Sequence, residues 1–128
     1  MKKIVLLFSF ICFGAYAQTQ DLRLGEDDIN QYFIKEYSFV SQKDNSGMNV
    51  LSSTLKTISK KSTNISYTNY VMEANTCKKG AGKLLAIDKD GEVVDVENIK
   101  IDGPTKMDVL ATALCMINSV TKRKQQMF

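Results

Sequence analysis

The chain has 128 residues, 17 Lys+Arg against 14 Asp+Glu, a formal net charge of +3 and no histidine. Without histidine there is no Ser-His-Asp or Cys-His nucleophilic system and no histidine-based metal site. The small charge excess gives no strong steering toward nucleic acid or anionic lipid, so any catalysis would rest on carboxylates, Lys, Tyr or a thiolate.

Lys2 and Lys3 precede an apolar run from Ile4 to Gly14, broken only by Ser9, and Ala15-Tyr16-Ala17 sets small residues at −3 and −1 of a cut after Ala17. A positive start, a short apolar stretch and a small-residue cut site, in that order, make a secretory signal peptide. A spanning helix needs about 20 apolar residues, and Gln18 comes too soon. Cys12 follows Ile11 rather than the small residue that precedes a lipidated cysteine. The Ala-Gln ending resembles the signal peptides of envelope-exported proteins of Gram-negative bacteria. The expected product is residues 18–128: 111 residues, 15 Lys+Arg and 14 Asp+Glu, one small domain. It is expected to be periplasmic or secreted, with no integral membrane span after cleavage and no nucleic acid as partner.

Cleavage leaves two cysteines, Cys77 and Cys115, which allow one pairing in an oxidising compartment. The alternative is two separate thiols buried as small hydrophobes.

In chain order, residues 18–25 read as a loose polar lead-in. Glu26-Asp27-Asp28 places carboxylates where a helix starts, and Ile29, Tyr32, Phe33, Tyr37 and Val40 follow at steps of three and four, predicting a helix over 27–41. The breakers Asp44 to Gly47 end it. Leu51, Leu55 and Ile58 predict a second helix over 49–61. "NISYTNYVME" is β-branched and aromatic with rough alternation, so a strand is expected. Lys78 to Gly82 reads as a flexible link. "KLLAI", Asp88-Lys89-Asp90-Gly91 and "EVVDVENIKI" predict a hairpin with glycine at the positive-φ turn position. After Gly103-Pro104, Met107, Leu110, Leu114, Ile117 and Thr121 share one face of a helix over 105–124, with Asp108 in the first turn and Lys122, Arg123 and Lys124 in the last. The expected fold class is α+β: two N-terminal helices, a small antiparallel sheet of three to four strands, and a C-terminal helix packed on one sheet face.

Motifs that carry chemistry are sparse, and no catalytic residue is singled out. With Gly91 at the sixth position of a calcium loop, Asp88 and Asp90 fall at three and five and Glu97 at twelve. Ala86 at the first position has no side-chain oxygen and the flanks are strands, so a hairpin turn is the better reading and no metal is expected. "KKGAGK" lacks the spacing and the Ser/Thr of a phosphate loop; its Lys78, Lys79 and Lys83 form a basic turn able to meet an anionic partner. Cys77 beside Lys78 and Lys79 would favour thiolate if unpaired. Tyr67 and Tyr70 form a candidate aromatic surface. Asp27 and Asp28 read as caps rather than as an acid–base pair.

These features predict a small exported envelope protein, non-enzymatic, without a cofactor, that binds an unidentified protein or small ligand in the envelope. Two alternatives stand beside it. A periplasmic immunity or inhibitor protein against a toxin or hydrolase fits by analogy, such proteins being small, exported and catalytically empty. A small carboxylate- or thiol-based enzyme is the other.

Overall fold

The computed structural model describes residues 20–127, with side chains through Lys122. The expected signal peptide and Cys12 lie outside the described residues. The strands are β1 (Leu22–Glu26), β2 (Asn30–Ile34), β3 (Val40–Lys43), β4 (Asn49–Ser59), β5 (Ile65–Glu73), β6 (Ala81–Ile87) and β7 (Val93–Lys100). Two helices complete the chain, the single turn α1 (Thr76–Lys79) and the long α2 (Lys106–Met127). The strands form one sheet of seven in the order β1-β2-β4-β5-β6-β7, with β3 also paired to β4. Every pairing is antiparallel.

The expectation of two N-terminal helices and three to four strands is overturned. Residues 27–41 and 49–61 are not helical: they hold β2, the start of β3, and β4, with turns between. Part of the supposed lead-in is β1. The physical reason lies in ambiguous spacing. Leu51 and Leu55 are four apart, a distance that fits both one helix face and one strand face. Between them Ser53 is buried at 3% exposure, and this inward serine breaks the apolar alternation that would have announced the strand. Ile58, counted into the supposed helical stripe, lies on the opposite face of β4. The β-branched Val50, Thr54, Thr57 and Ile58 then settle in a pleated conformation that suits them better than a helix.

β2 and β3 occupy the same side of β4, β2 beside its second half and β3 beside its first. They are in effect one strand interrupted at residues 35–39. There the Lys35 N–H donates to the Thr54 carbonyl at 2.9 Å and the Thr54 N–H donates to Ser38 Oγ at 3.1 Å. A side-chain hydroxyl thus stands in for the missing strand carbonyl. Tyr37 sits at the tip of this excursion with φ of 60°.

One face of the sheet carries the core. Leu22, Ile34, Leu51, Leu55, Met72, Leu84 and Ile99 meet Met107, Leu110, Ala111 and Leu114 of α2, whose spacing of three, one and three forms a helical stripe. The helix packs against β1, β4 and β7. It starts on a reciprocal cap: Asp108 N–H donates to Thr105 Oγ1 at 3.1 Å and Thr105 N–H to Asp108 Oδ2 at 3.2 Å. Asp108 Oδ1 also accepts the Lys100 N–H at 2.9 Å, which welds the end of β7 to the helix. Cys77 of α1 is bonded to Cys115 of α2, with Cα atoms 5.7 Å apart. Among the described residues no helix is long and apolar enough to cross a membrane.

Candidate functional site

Strand alternation assigns every second side chain to the face away from α2. Across β1, β2, β4 and β5 one row of this outer face reads Arg23, Phe33, Lys56, Tyr67. Cations and rings alternate. The Arg23 guanidinium lies 5.8 Å from the Phe33 ring centre and Lys56 Nζ 5.9 Å from the same ring, so Phe33 is held between two charges. Lys35 Nζ lies 5.7 Å from the Tyr67 ring centre. Such contacts contribute about 0.5–1 kcal/mol each at exposed sites.

Two of the cations are already paired. Lys56 Nζ donates to Asp21 Oδ2 at 2.6 Å, and the Asp21 carboxylate raises the Lys56 ammonium above its ordinary value. Burial pushes the Asp21 carboxyl up, but the Lys56 ammonium and the Glu36 N–H together hold it below its ordinary value. Arg23 is bonded to Glu26. Glu26 also accepts from Lys60 at 3.0 Å, and these two cations, Lys60 foremost, lower its carboxyl to about 2. Lys35 has no carboxylate within ion-pair distance among the described residues. Beside the row, Ile58 faces Ile65, and Ile65 and Tyr67 are 50% and 54% exposed.

Tyr67 and Tyr70, expected on one surface, fall on opposite faces of β5. Their spacing of three puts them on opposite parities of a strand. Tyr70 packs half-buried against the core; burial, with Glu97 and Asp95 adding to it, raises its phenol above the ordinary value. The basic turn is divided in the same way. Lys78 and Lys79 are exposed on α1, which Gly80 closes at φ of 82°, while Lys83 sits on the outer face of β6. The supposed flexible link is ordered and close-packed: a Cβ on Gly82 would lie 2.6 Å from Thr76 Oγ1, and Thr76 is buried.

Asp88, Asp90 and Glu97 do not converge as a ligand set. Asp88 Oδ1 accepts the N–H groups of Asp90 and Glu92, both at 2.9 Å, the bonding of a tight turn, and Gly91 has φ of 83° as the turn requires. Glu97 lies on β7. Among the described residues no group of three or more Cys, Asp or Glu is placed to hold a metal ion.

The helix-side face carries a cleft of about 460 Å³ between β1, the β1–β2 turn and the start of α2, with Leu24, Tyr32, Pro104, Lys106 and Val109 in its wall. Glu26 and Asp27 also line it. Asp27 Oδ2 accepts the Tyr32 hydroxyl at 2.6 Å, and Oδ1 accepts the N–H groups of Ile29 and Asn30 at 2.8 and 2.7 Å. These donors, the hydroxyl first, lower Asp27 to about 2. Both carboxylates are therefore ionised at neutral pH and weakly basic.

Sequence reasoning missed Phe33, Lys35, Lys56 and Ile65 as parts of one surface. Three strands bring them together, and two of those strands were read as helices. The signal that could have found them was the β-branched content of residues 50–58.

No family model matches the chain, and no curated protein and no solved structure matches it either.

Proposed function

We propose that the protein is a non-enzymatic interaction module of the envelope, periplasmic or released, and that the β1–β5 half of the outer sheet face is where a protein partner docks. One observation carries this reading: Tyr67 and Ile65 stand half-exposed on a sheet face that α2 does not cover. The water-facing side of an antiparallel sheet is ordinarily polar, whereas a contiguous apolar and aromatic patch rimmed by charge marks a contact surface. Tyrosine is among the residues favoured at such centres, with charged groups at the rim. The Cys77–Cys115 bond supports an oxidising location.

Two features speak against the enzyme alternative: the cleft carboxylates are strongly acidic, and the one thiol pair is oxidised. The inhibitor reading is a special case of the same surface, with a toxin or hydrolase as the partner.

The test is affinity capture from envelope extract with the exported protein as bait. A specific partner is expected with the native chain. Tyr67→Ala is expected to weaken its retention by about 2 kcal/mol, the loss typical of a central aromatic anchor, while the circular dichroism spectrum stays unchanged. Equal retention of the partner by Tyr67→Ala and Tyr67→Glu would rule this face out.

A further inference from the structure

The half of the outer face built from β5, β6 and β7 has a different chemistry from the half around Tyr67. Val71, Leu85 and Val96 form one cross-strand row, and Ile87 lies beside Val93 in the next. No charged side chain interrupts these five positions. Val93 and Val96 are 51% and 47% exposed, and Val94, at the irregularity where β6 and β7 shift register, is 62% exposed.

The free edge of β7 is guarded, in contrast to its face. Asp95 Oδ1 accepts the Val96 N–H at 2.9 Å, and Asp108 accepts the Lys100 N–H at 2.9 Å. Two backbone donors are thus capped by carboxylates, and the register shift distorts the strand between them and the turn. These devices discourage strand addition at an edge. A molecule meeting β7 does so through the face.

The rim of the aliphatic block carries both signs of charge. The register Met72 to Leu84 sets Glu73 opposite Lys83 at the next position, and Lys100 follows two residues beyond Asn98, the residue paired with Lys83. None of the three is in an ion pair among the described residues. A plus beside a minus is self-complementary under a two-fold axis. An axis parallel to the strands and between β5 and β6 sets Glu73 against Lys83 of the second copy, twice over. The same axis sets Val71 against Leu85 of the second copy. The near-balance of Lys+Arg and Asp+Glu in residues 18–128, 15 against 14, imposes little repulsion between two copies.

We propose that this aliphatic half of the outer face binds a second copy of the chain, giving a two-fold dimer of aligned, face-packed sheets. The same axis lays β7 of the second copy over β4 beside Ser52 and Thr54, so the dimer adjoins the partner surface at Tyr67; it is read separately from that surface, through Leu85→Glu and Val96→Glu rather than Tyr67→Ala.

Sedimentation velocity of the exported protein, from micromolar to submillimolar concentration, tests it. The native chain is expected to sediment at twice the monomer mass when concentrated and to dissociate on dilution. Leu85→Glu, at the centre, is expected to be monomeric throughout with native circular dichroism. Val96→Glu, at a half-exposed position, serves the same purpose should Leu85→Glu fail to fold. Glu73→Lys and Lys83→Glu are each expected to weaken association about tenfold, and a mixture of the two to associate more tightly than either alone, through opposite charges across the interface. A native chain that stays monomeric at every concentration overturns the proposal. So does a dimer that persists in both glutamate variants, or a mixture no tighter than its components.

Discussion

Asp27 illustrates how much one carboxylate organises. Its two oxygens accept three hydrogen bonds, from the Tyr32 hydroxyl and from the N–H groups of Ile29 and Asn30, and so close the β1–β2 turn while fixing the buried Tyr32 ring beneath Lys106, 5.2 Å from the ring centre. Its carboxyl is lowered from 3.8 to about 2, by the hydroxyl first and the backbone donors next. A carboxyl depressed in the folded state binds its proton more readily in the unfolded one, so it adds stability above the unfolded value and loses that contribution as pH falls through the folded value. The window here runs from about 3.8 down to about 2. Urea unfolding across that window is expected to show stability rising with pH in the native chain. Asp27→Asn is expected to make that dependence shallower, the lowered Glu26, Asp21 and Asp108 carboxyls supplying the remainder, and Tyr32→Phe to reduce it by less while preserving the fold. At the same scale Ser53 stands out: its buried Oγ has no hydrogen-bond partner, and it is this residue that disguises the inward alternation of β4.

The elements are held to one another by a few specific ties rather than by propensity. β4 is the spine, pairing β2 and β3 on one side and β5 on the other. The disulfide fastens α1, a single turn too short to persist alone, onto α2. Its ends are 38 residues apart, and in the chain-entropy model a crosslink of that span contributes about 4 kcal/mol. Cys77→Ser with Cys115→Ser is expected to lose most of that, measured as a lower urea midpoint with a somewhat steeper slope, because the unfolded chain freed of the crosslink exposes more surface while the helix still buries its apolar stripe against the sheet. Gly82 is the second tie. Thr76 fills the space where a side chain would stand, so Gly82→Ala must displace a buried threonine or shift β6. The cost of such overpacking is about 1–3 kcal/mol, read by thermal denaturation. Asp108 is the third, capping α2 and the end of β7 together; these backbone donors, that of Lys100 above all, hold its carboxyl below the ordinary value.

At the scale of the molecule the sheet has one face covered by α2 and one uncovered. The covered face is conventionally apolar. The uncovered face is divided: an aromatic and cationic half around Tyr67, and an aliphatic half on β5 to β7. That division gives two separable expectations, loss of a partner at Tyr67 and loss of self-association at Leu85. Variants on one half are expected to leave the other intact. The guarded β7 edge and the open β7 face belong together, since an edge left free beside exposed valines would template unlimited sheet growth.

Residues 81–127 were largely legible before folding was considered. Alternation in "KLLAI" and "EVVDVENIKI", the Asp-Gly turn and the three-four stripe of α2 are local patterns, decided by backbone sterics and by which side chains line one face. Once Cys12 was set aside Cys77 and Cys115 allowed a single pairing, with two separate buried thiols as the alternative, and the bond is formed. The N-terminal half was misread because its signals are degenerate. Acidic residues before an apolar stretch suit a helix start and a hairpin turn equally, since both leave N–H groups for a carboxylate to accept, and leucines four apart suit both periods. Neighbouring strands resolved the ambiguity: β4 is a strand because β2, β3 and β5 satisfy its backbone on both sides, contacts no local window contains. The candidate surface follows the same division. The chain by itself determined which residues are apolar, charged or able to crosslink. Tertiary structure alone decided that Phe33, Lys35, Lys56 and Tyr67 share one face and that Tyr70 does not, because side-chain parity on a strand is fixed only once the strand exists and its register is set.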